Sequence, residues 1–182
     1  MIVRINPHGT PWHEADLAAV RDRGVAAVIL PKAEDVETVG NVVRALDGVP
    51  IITLIETAKG LANARSIATV EGVMRLAFGS VDYCADLGIA HERDILLPAR
   101  SELVLASRLA GIAAPVDGVT VRLESSGVAL EDAQHARAVG MTGKLCIHPK
   151  QIKELSIACL KSAPIATLAP SEHVSGLSWS FA

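Results

Sequence analysis

Two carboxylates stand out by what precedes them. Glu56 follows the unbroken run Ile51-Ile52-Thr53-Leu54-Ile55, and Asp82 follows the run Met74 to Phe78 through Gly79-Ser80-Val81. Such runs read as strands buried on both faces, so each acid falls at or just beyond a strand's C-terminal end. One or two carboxylates, completed by waters and substrate oxygens, are what Mg2+ takes, with Mn2+ as the alternative. A metal held by Glu56 and Asp82 would polarise the carbonyl of a chelated 2-oxo or 2-hydroxy acid and hold charge developing on its oxygen. The competing reading makes each acid an ordinary strand-end cap for the helix that follows. Arg4 comes after Ile2 and Val3 and by alternation points away from the side taken by Val3 and Ile5. Its guanidinium fork matches a substrate carboxylate, or else a salt bridge to Glu56 or Glu34. Arg4, Glu56 and Asp82 are therefore the candidate catalytic set. Gly79 and Ser80 join Arg4 and Glu56 as candidate substrate contacts, because a glycine lets backbone approach a ligand and the next residues can donate N–H groups to it. Gly79 can equally serve the turn alone.

Other polar residues carry weaker signals. Lys32 either bonds substrate or pairs with an acid such as Glu34, and its charged neighbours argue against a Schiff-base amine. His148 precedes Pro149, where helix is disfavoured, so it ends a strand on the face of the acids. It reads as a packed histidine fixing a turn before it reads as a general base. Asp86, His91, Glu92, Arg93 and Asp94 read as a solvated loop bordering the site.

These residues need a scaffold that gathers strand ends. Six segments read as buried strands: Ile2 to Ile5, Ala26 to Leu30, Ile51 to Ile55, Met74 to Phe78, Gly118 to Leu123 and Gly143 to Ile147. Helical patterns fill the gaps: Trp12 to Arg23, Val36 to Leu46, Leu61 to Thr69, Arg100 to Gly111 and Leu130 to Val139. The near-regular alternation predicts a parallel sheet with right-handed crossovers. Tyr83 to Ala99 is a longer interval, read as an insertion, with Pro98 starting the next helix. No G-x-G-x-x-G follows a strand, so an open dinucleotide-binding sheet has no support. An open sheet would also spread Arg4, Lys32, Glu56 and Asp82 along about 15 Å, whereas a barrel curls them inward. The expected fold is α/β, a TIM-type (β/α) barrel incomplete in this chain, with residues 1–152 as the barrel domain and 153–182 as a helical or irregular tail.

Composition narrows the function classes. With 182 residues, half of them hydrophobic, the chain can bury one sizeable core. No apolar run reaches the ~18 to 20 residues of a membrane span and no signal peptide is visible, so neither membrane nor export is expected and the cytoplasm is the default. Cys84, Cys146 and Cys159 show no ligand spacing and are expected to be reduced. A net charge of -3 with interspersed signs and 3% aromatic residues argue against a nucleic-acid partner.

From Val3 to Ile152 the sequence resembles the citrate lyase beta-subunit family of the HpcH/HpaI aldolase superfamily. The motifs that carry the resemblance are Val3-Arg4-Ile5-Asn6, Leu30-Pro31-Lys32-Ala33-Glu34, Ile55-Glu56-Thr57-Ala58-Lys59-Gly60, Phe78-Gly79-Ser80-Val81-Asp82, Asp117-Gly118-Val119, and Gly143-Lys144-Leu145-Cys146-Ile147-His148-Pro149-Lys150-Gln151-Ile152. The resemblance implies a magnesium-binding TIM-type barrel that makes or breaks a carbon–carbon bond in acyl-CoA or acyl-carrier-protein thioesters, with Glu56 and Asp82 on the metal. The expected activity is cleavage of a citryl, malyl or citramalyl thioester to release an oxo acid. Alternatives are a pyruvate-type aldolase without a thioester and a non-catalytic remnant that keeps the metal site.

The resemblance also shows departures. Relatives begin with two further βα units, with an acidic Leu-Glu-Asp motif on the second strand, and continue past Ile152 into a helical tail and lid that can bring a catalytic acid to a neighbouring subunit. Pro170-Ser171-Glu172 faintly echoes that tail. A six-stranded remnant of an eight-stranded barrel would expose strand edges and an apolar interior, so a homo-oligomer is expected. The chain alone is expected to bind metal and to turn over slowly.

Overall fold

The computed structural model describes residues 1–123, 127–159 and 180–181. Six strands, β1 (Ile2–Arg4), β2 (Ala27–Leu30), β3 (Ile51–Ile55), β4 (Val73–Phe78), β5 (Ala113–Asp117) and β6 (Gly143–Cys146), pair in sequence order, every pair parallel. They form a curled half-barrel wrapped by helices on its outer side. Between them run α1 (His13–Arg21), α2 (Val36–Leu46), α3 (Ala58–Ala62), α4 (Ala64–Ala68), α5 (Ser80–Leu87), α6 (Leu97–Ala110) and α7 (Val128–Val139), and α8 (Pro149–Cys159) follows β6. A two-residue β7 (Ser180–Phe181) pairs antiparallel with β6. The Pro170-Ser171-Glu172 segment lies outside the described residues. No helix among the described residues is long and apolar enough to cross a membrane.

Strand alternation sorts the apolar residues into two cores. Val28, Leu30, Ile51, Ile55, Leu76 and Phe78 pack outward against the helices with Leu103, Ile67 and Leu46. Ala27, Ile29, Ile52, Leu54, Ala77, Val116 and Leu145 form a separate inner cluster. A period of two along each strand produces that division. The inner cluster is itself buried, with Ile29, Leu54 and Leu145 only 4%, 5% and 5% exposed. The expectation of an uncovered apolar interior holds only in part: these residues are little exposed, yet Ile29, Leu54 and Leu145 wall a cavity on the inner side of the curl.

Three element boundaries differ from those expected. The fifth strand is Ala113–Asp117, not Gly118 to Leu123. Pro115 makes that segment read as a breaker, since proline removes a ladder donor. The sheet tolerates it through a register shift between Arg75 and Ala77 on β4, where the Arg75 guanidinium donates to the Ala114 carbonyl. Of the segment read as strand, Val119 enters the inner core while Val121 and Leu123 are exposed. The Leu61 to Thr69 helix is two short helices starting earlier, broken at Asn63, whose side-chain amide donates to the Glu34 carbonyl at 2.7 Å. The Tyr83 to Ala99 interval is no plain loop, because α5 occupies its first part and α6 begins at Leu97 with Pro98 in its first turn.

Candidate active site

Glu56 continues the inward-facing set Ile52 and Leu54, and Arg4 continues the set begun by Ile2. Both side chains therefore face the inner side of the curl at the C-terminal rim. Arg4, Glu56, Gly79, Ser80 and Asp82 border one cavity of about 400 Å³, walled otherwise by apolar residues such as Ile29, Leu54 and Leu145. The predicted set thus converges. Asp82 does so from a different element than expected. β4 ends at Phe78, and Asp82 sits exposed in the first turn of α5, where a carboxylate also favours the helix N-terminus.

Glu56 is the buried member, 5% exposed. Its Oε1 accepts the backbone N–H of Lys32 at 2.9 Å. Lys32 holds a left-handed conformation (φ 47°), which turns that N–H away from the strand direction. Lys32 contributes its backbone N–H as well as its charge, and Glu34 pairs instead with Lys59, Nζ to Oε2 at 3.4 Å. Burial raises the Glu56 carboxyl to about 7 against the opposing Lys32 hydrogen bond, and the nearby Asp82 charge adds to the rise, while the Arg4 and Lys32 charges pull it down. A desolvated carboxylate beside a second carboxylate is the electrostatic situation that a divalent cation relieves.

Gly79 is required for space. Its own N–H is used in the sheet, donating to the Ile55 carbonyl at 2.9 Å, and its φ of -86° is open to any residue. A β-carbon there would lie 2.6 Å from Glu56 Oε2. Neither reading offered by the sequence, ligand approach or turn, names this reason. Ser80 begins α5, and its hydroxyl faces the imidazole of His91, Oγ to Nε2 at 2.9 Å. His91 is half-buried, so the reading of residues 86–94 as a merely solvated loop is corrected. Asp86 accepts the Ala58 backbone N–H at 2.8 Å, and Arg93 pairs with Asp132 at 2.8 Å.

His148 takes the structural role. Its Nδ1 accepts the Lys150 backbone N–H at 3.1 Å at the start of α8. Beneath the rim lies a cluster the sequence reading did not single out as a unit. Asp117 at the end of β5 accepts from Arg100 Nε at 2.7 Å and from Lys144 Nζ at 3.0 Å, with all three side chains buried. Lys144 also donates to the Gly118 carbonyl at 2.7 Å. Burial alone would raise the Asp117 carboxyl, but the Lys144 and Arg100 charges outweigh it and hold it below the ordinary carboxylate value. Among the described residues no three His, Cys, Asp or Glu side chains form a metal cluster. Two carboxylates remain as the donor set, which fits a hard ion that keeps waters and substrate oxygens.

Residues 1–149 match the model of the family described as HpcH/HpaI aldolase/citrate lyase. The chain belongs to this family. Among curated relatives, a citrate lyase subunit beta-like protein of Deinococcus radiodurans is 37% identical over 158 residues, covering 84% of this chain and 55% of its own length. A (3S)-malyl-CoA thioesterase of Cereibacter sphaeroides is 33% identical over 168 residues, covering 90% and 57%. The chain thus spans a little over half the length of these HpcH/HpaI relatives. Among solved structures, a citrate lyase beta subunit from M. tuberculosis complexed with oxaloacetate and magnesium superposes with a TM-score of 0.75 at 32% identity, covering 86% of this chain and 71% of that one.

Proposed function

We propose that the chain is a magnesium-dependent carbon–carbon lyase of the citrate lyase beta-subunit type, cleaving a citryl, malyl or citramalyl thioester and releasing an oxo acid. The observation that carries this reading is the convergence of Glu56, Asp82 and Arg4 on one cavity. Glu56 and Asp82 would hold Mg2+, or Mn2+, and the bound metal supplies Lewis-acid polarisation of the oxo-acid carbonyl. Arg4 binds the substrate carboxylate with its planar fork. The first backbone N–H groups of α5, from Ser80 onward, present the positive end of that helix to the same anion. Gly79 keeps the approach to Glu56 open. The thioester is carried by CoA or an acyl-carrier protein; the malyl-CoA relative supports the first.

A pyruvate-type aldolase acting without a thioester is the second reading, favoured by the family's aldolase members. The test is incubation of the chain with citryl-, malyl- and citramalyl-CoA, with and without Mg2+, following free oxo acid and free thiol separately. Metal-dependent release of oxo acid with the thioester intact in the other product is expected. Thiol release without oxo acid would replace the lyase by a thioesterase, and carbon–carbon bond formation from pyruvate and an aldehyde alone would replace it by the aldolase.

A further inference from the structure

We propose that Gly118 is a positioning residue for the candidate metal site, its bare backbone packed on Ser80 so that the start of α5, and Asp82 with it, is held at the cavity. The inference rests on the metal-binding part of the reading above. It names what sets the geometry of the two carboxylates.

Gly118 directly follows β5, and its φ lies outside the left-handed region, so its backbone angles are open to any residue. What demands glycine is space. A β-carbon there would stand 2.6 Å from Ser80 Cβ and closer still to Ser80 Oγ, with the Phe78 carbonyl oxygen at 3.1 Å. The hydroxyl can turn away, but no rotamer moves a β-carbon, so a side chain at residue 118 must displace backbone.

One side of that contact is the better anchored. Asp117 accepts from Arg100 Nε at 2.7 Å and Lys144 Nζ at 3.0 Å, and Lys144 donates to the Gly118 carbonyl itself at 2.7 Å. The end of β5 is thus pinned by bonds from two buried cations, which are among the strong ones. On the other side Ser80 is 1% exposed, with its hydroxyl against His91 Nε2 at 2.9 Å, but the next residues of α5, Val81 and Asp82, face solvent. The first turn of α5 is therefore the part that yields.

A shift at Ser80 reaches both candidate ligands. Asp82 stands two residues on in the same helical turn, which is closed by the Tyr83 N–H donating to the Gly79 carbonyl at 2.9 Å, and Asp82 borders the cavity. Gly79, one residue back, already lies against the Glu56 side chain. Mg2+ takes its oxygens at about 2.0 to 2.1 Å in a near-octahedral array, so a sub-ångström displacement of one carboxylate against the other is felt as lost affinity.

The test is a double-variant cycle read by Mg2+ calorimetry. Gly118→Ala should weaken binding at least about tenfold, the scale on which displaced support of a metal ligand acts. Ser80→Gly deletes both atoms that the new β-carbon meets first, so in its background Gly118→Ala should cost at most about twofold. Lys144→Met adds no bulk, frees the Gly118 carbonyl and leaves Asp117 paired with Arg100; it should also weaken binding, although losing a positive charge by itself favours a cation. Gly72→Ala is the control for a merely structural defect. Its φ of 94° and a β-carbon 2.7 Å from Val43 Cγ1 strain the opposite end of β4, so it should lower the urea midpoint and leave Mg2+ affinity as in wild type. An independent readout is the amide 1H–15N spectrum without metal, in which Gly118→Ala should move Ser80, Val81 and Asp82 more than Arg100 and Lys144. Wild-type affinity in Gly118→Ala or Lys144→Met, an equal loss with and without Ser80→Gly, or shifts confined to Arg100 and Lys144 would each overturn the positioning role and leave the metal site standing. A wild-type chain that binds no Mg2+ would overturn the metal site, and this role with it.

Discussion

Glu56 and Gly79 are locked to one another: the carboxylate lies where a β-carbon at residue 79 would stand 2.6 Å from Oε2. The first atom met is the Glu56 β-carbon, which no rotamer moves, so Gly79→Ala should shift the backbone at residue 56 together with its carboxylate and weaken Mg2+ binding at least about tenfold, the scale on which displaced support of a metal ligand acts. Glu56→Gln should do the same, with a neutral amide of similar shape where the carboxylate stood. Glu34→Gln, which touches only the exposed Lys59 bridge, is the control and should bind normally. Unchanged affinity in both Gly79→Ala and Glu56→Gln, measured by calorimetry, would remove Glu56 from the metal site.

Asp117→Asn should destabilise the fold by about 3 to 5 kcal/mol, because Arg100 and Lys144 would be left buried without their shared anion. Urea unfolding followed by circular dichroism checks this, and Asp22→Asn, which loses an exposed bridge to Arg21, should shift the midpoint little.

The same carboxylate sets an acid limit. The folded-state value of Asp117 lies below its ordinary 3.8. Its contribution to stability is thus fully present above that ordinary value and is lost as pH falls through the lower folded value. Asp132, lowered by the Arg93 and Thr120 hydrogen bonds against its burial, acts in the same direction. Stability measured from pH 6 down to 2 should fall steeply below about 4, and the slope should lessen in Asp117→Asn.

Self-association is expected through β1. That strand pairs on one side with β2, and no second partner flanks it among the described residues. An open edge is a template for another chain. The inner cluster is little exposed, so the association should be weak and break on Ile2→Pro, which takes a donor from the open side, since the Ile5 N–H and with it that of Val3 face β2. Sedimentation equilibrium should give a mass above 19.0 kDa at high protein concentration. A monomer throughout would refute it.

Turnover by the 182-residue chain alone should stay below about 1 s⁻¹, the low end of ordinary enzyme rates. Arg4 and Asp82 are exposed at the cavity rim, so water reaches the groups that must hold charge and weakens each contact. A coupled assay of oxo-acid release from the three CoA thioesters measures it.

The relation of sequence to structure differs from residue to residue. The strand carrying Glu56 was legible because five buried residues in a row leave few alternatives. β5 was not, because Pro115 argues locally against a strand and only the register shift against Arg75 makes room for it. His91 looked like loop because Glu92, Arg93 and Asp94 follow it directly in a longer interval between two expected elements. Its partner Ser80 lies eleven positions back, across the whole of α5.

By itself the sequence determined what depends on neighbours along the chain: the βα alternation, the inward direction of Arg4 and Glu56 by the period of two, and the position of Glu56 just past a buried strand. Tertiary structure decided what depends on distance between elements. It placed Asp82 on α5 rather than on a strand, made Gly79 a matter of space beside Glu56, gathered Asp117, Arg100 and Lys144 into one buried cluster, and set His91 against Ser80. The physical reason is that hydrophobic periodicity encodes which face of an element is buried, whereas hydrogen bonds, close contacts and burial of charge are fixed only when curled strands bring distant residues within a few ångströms.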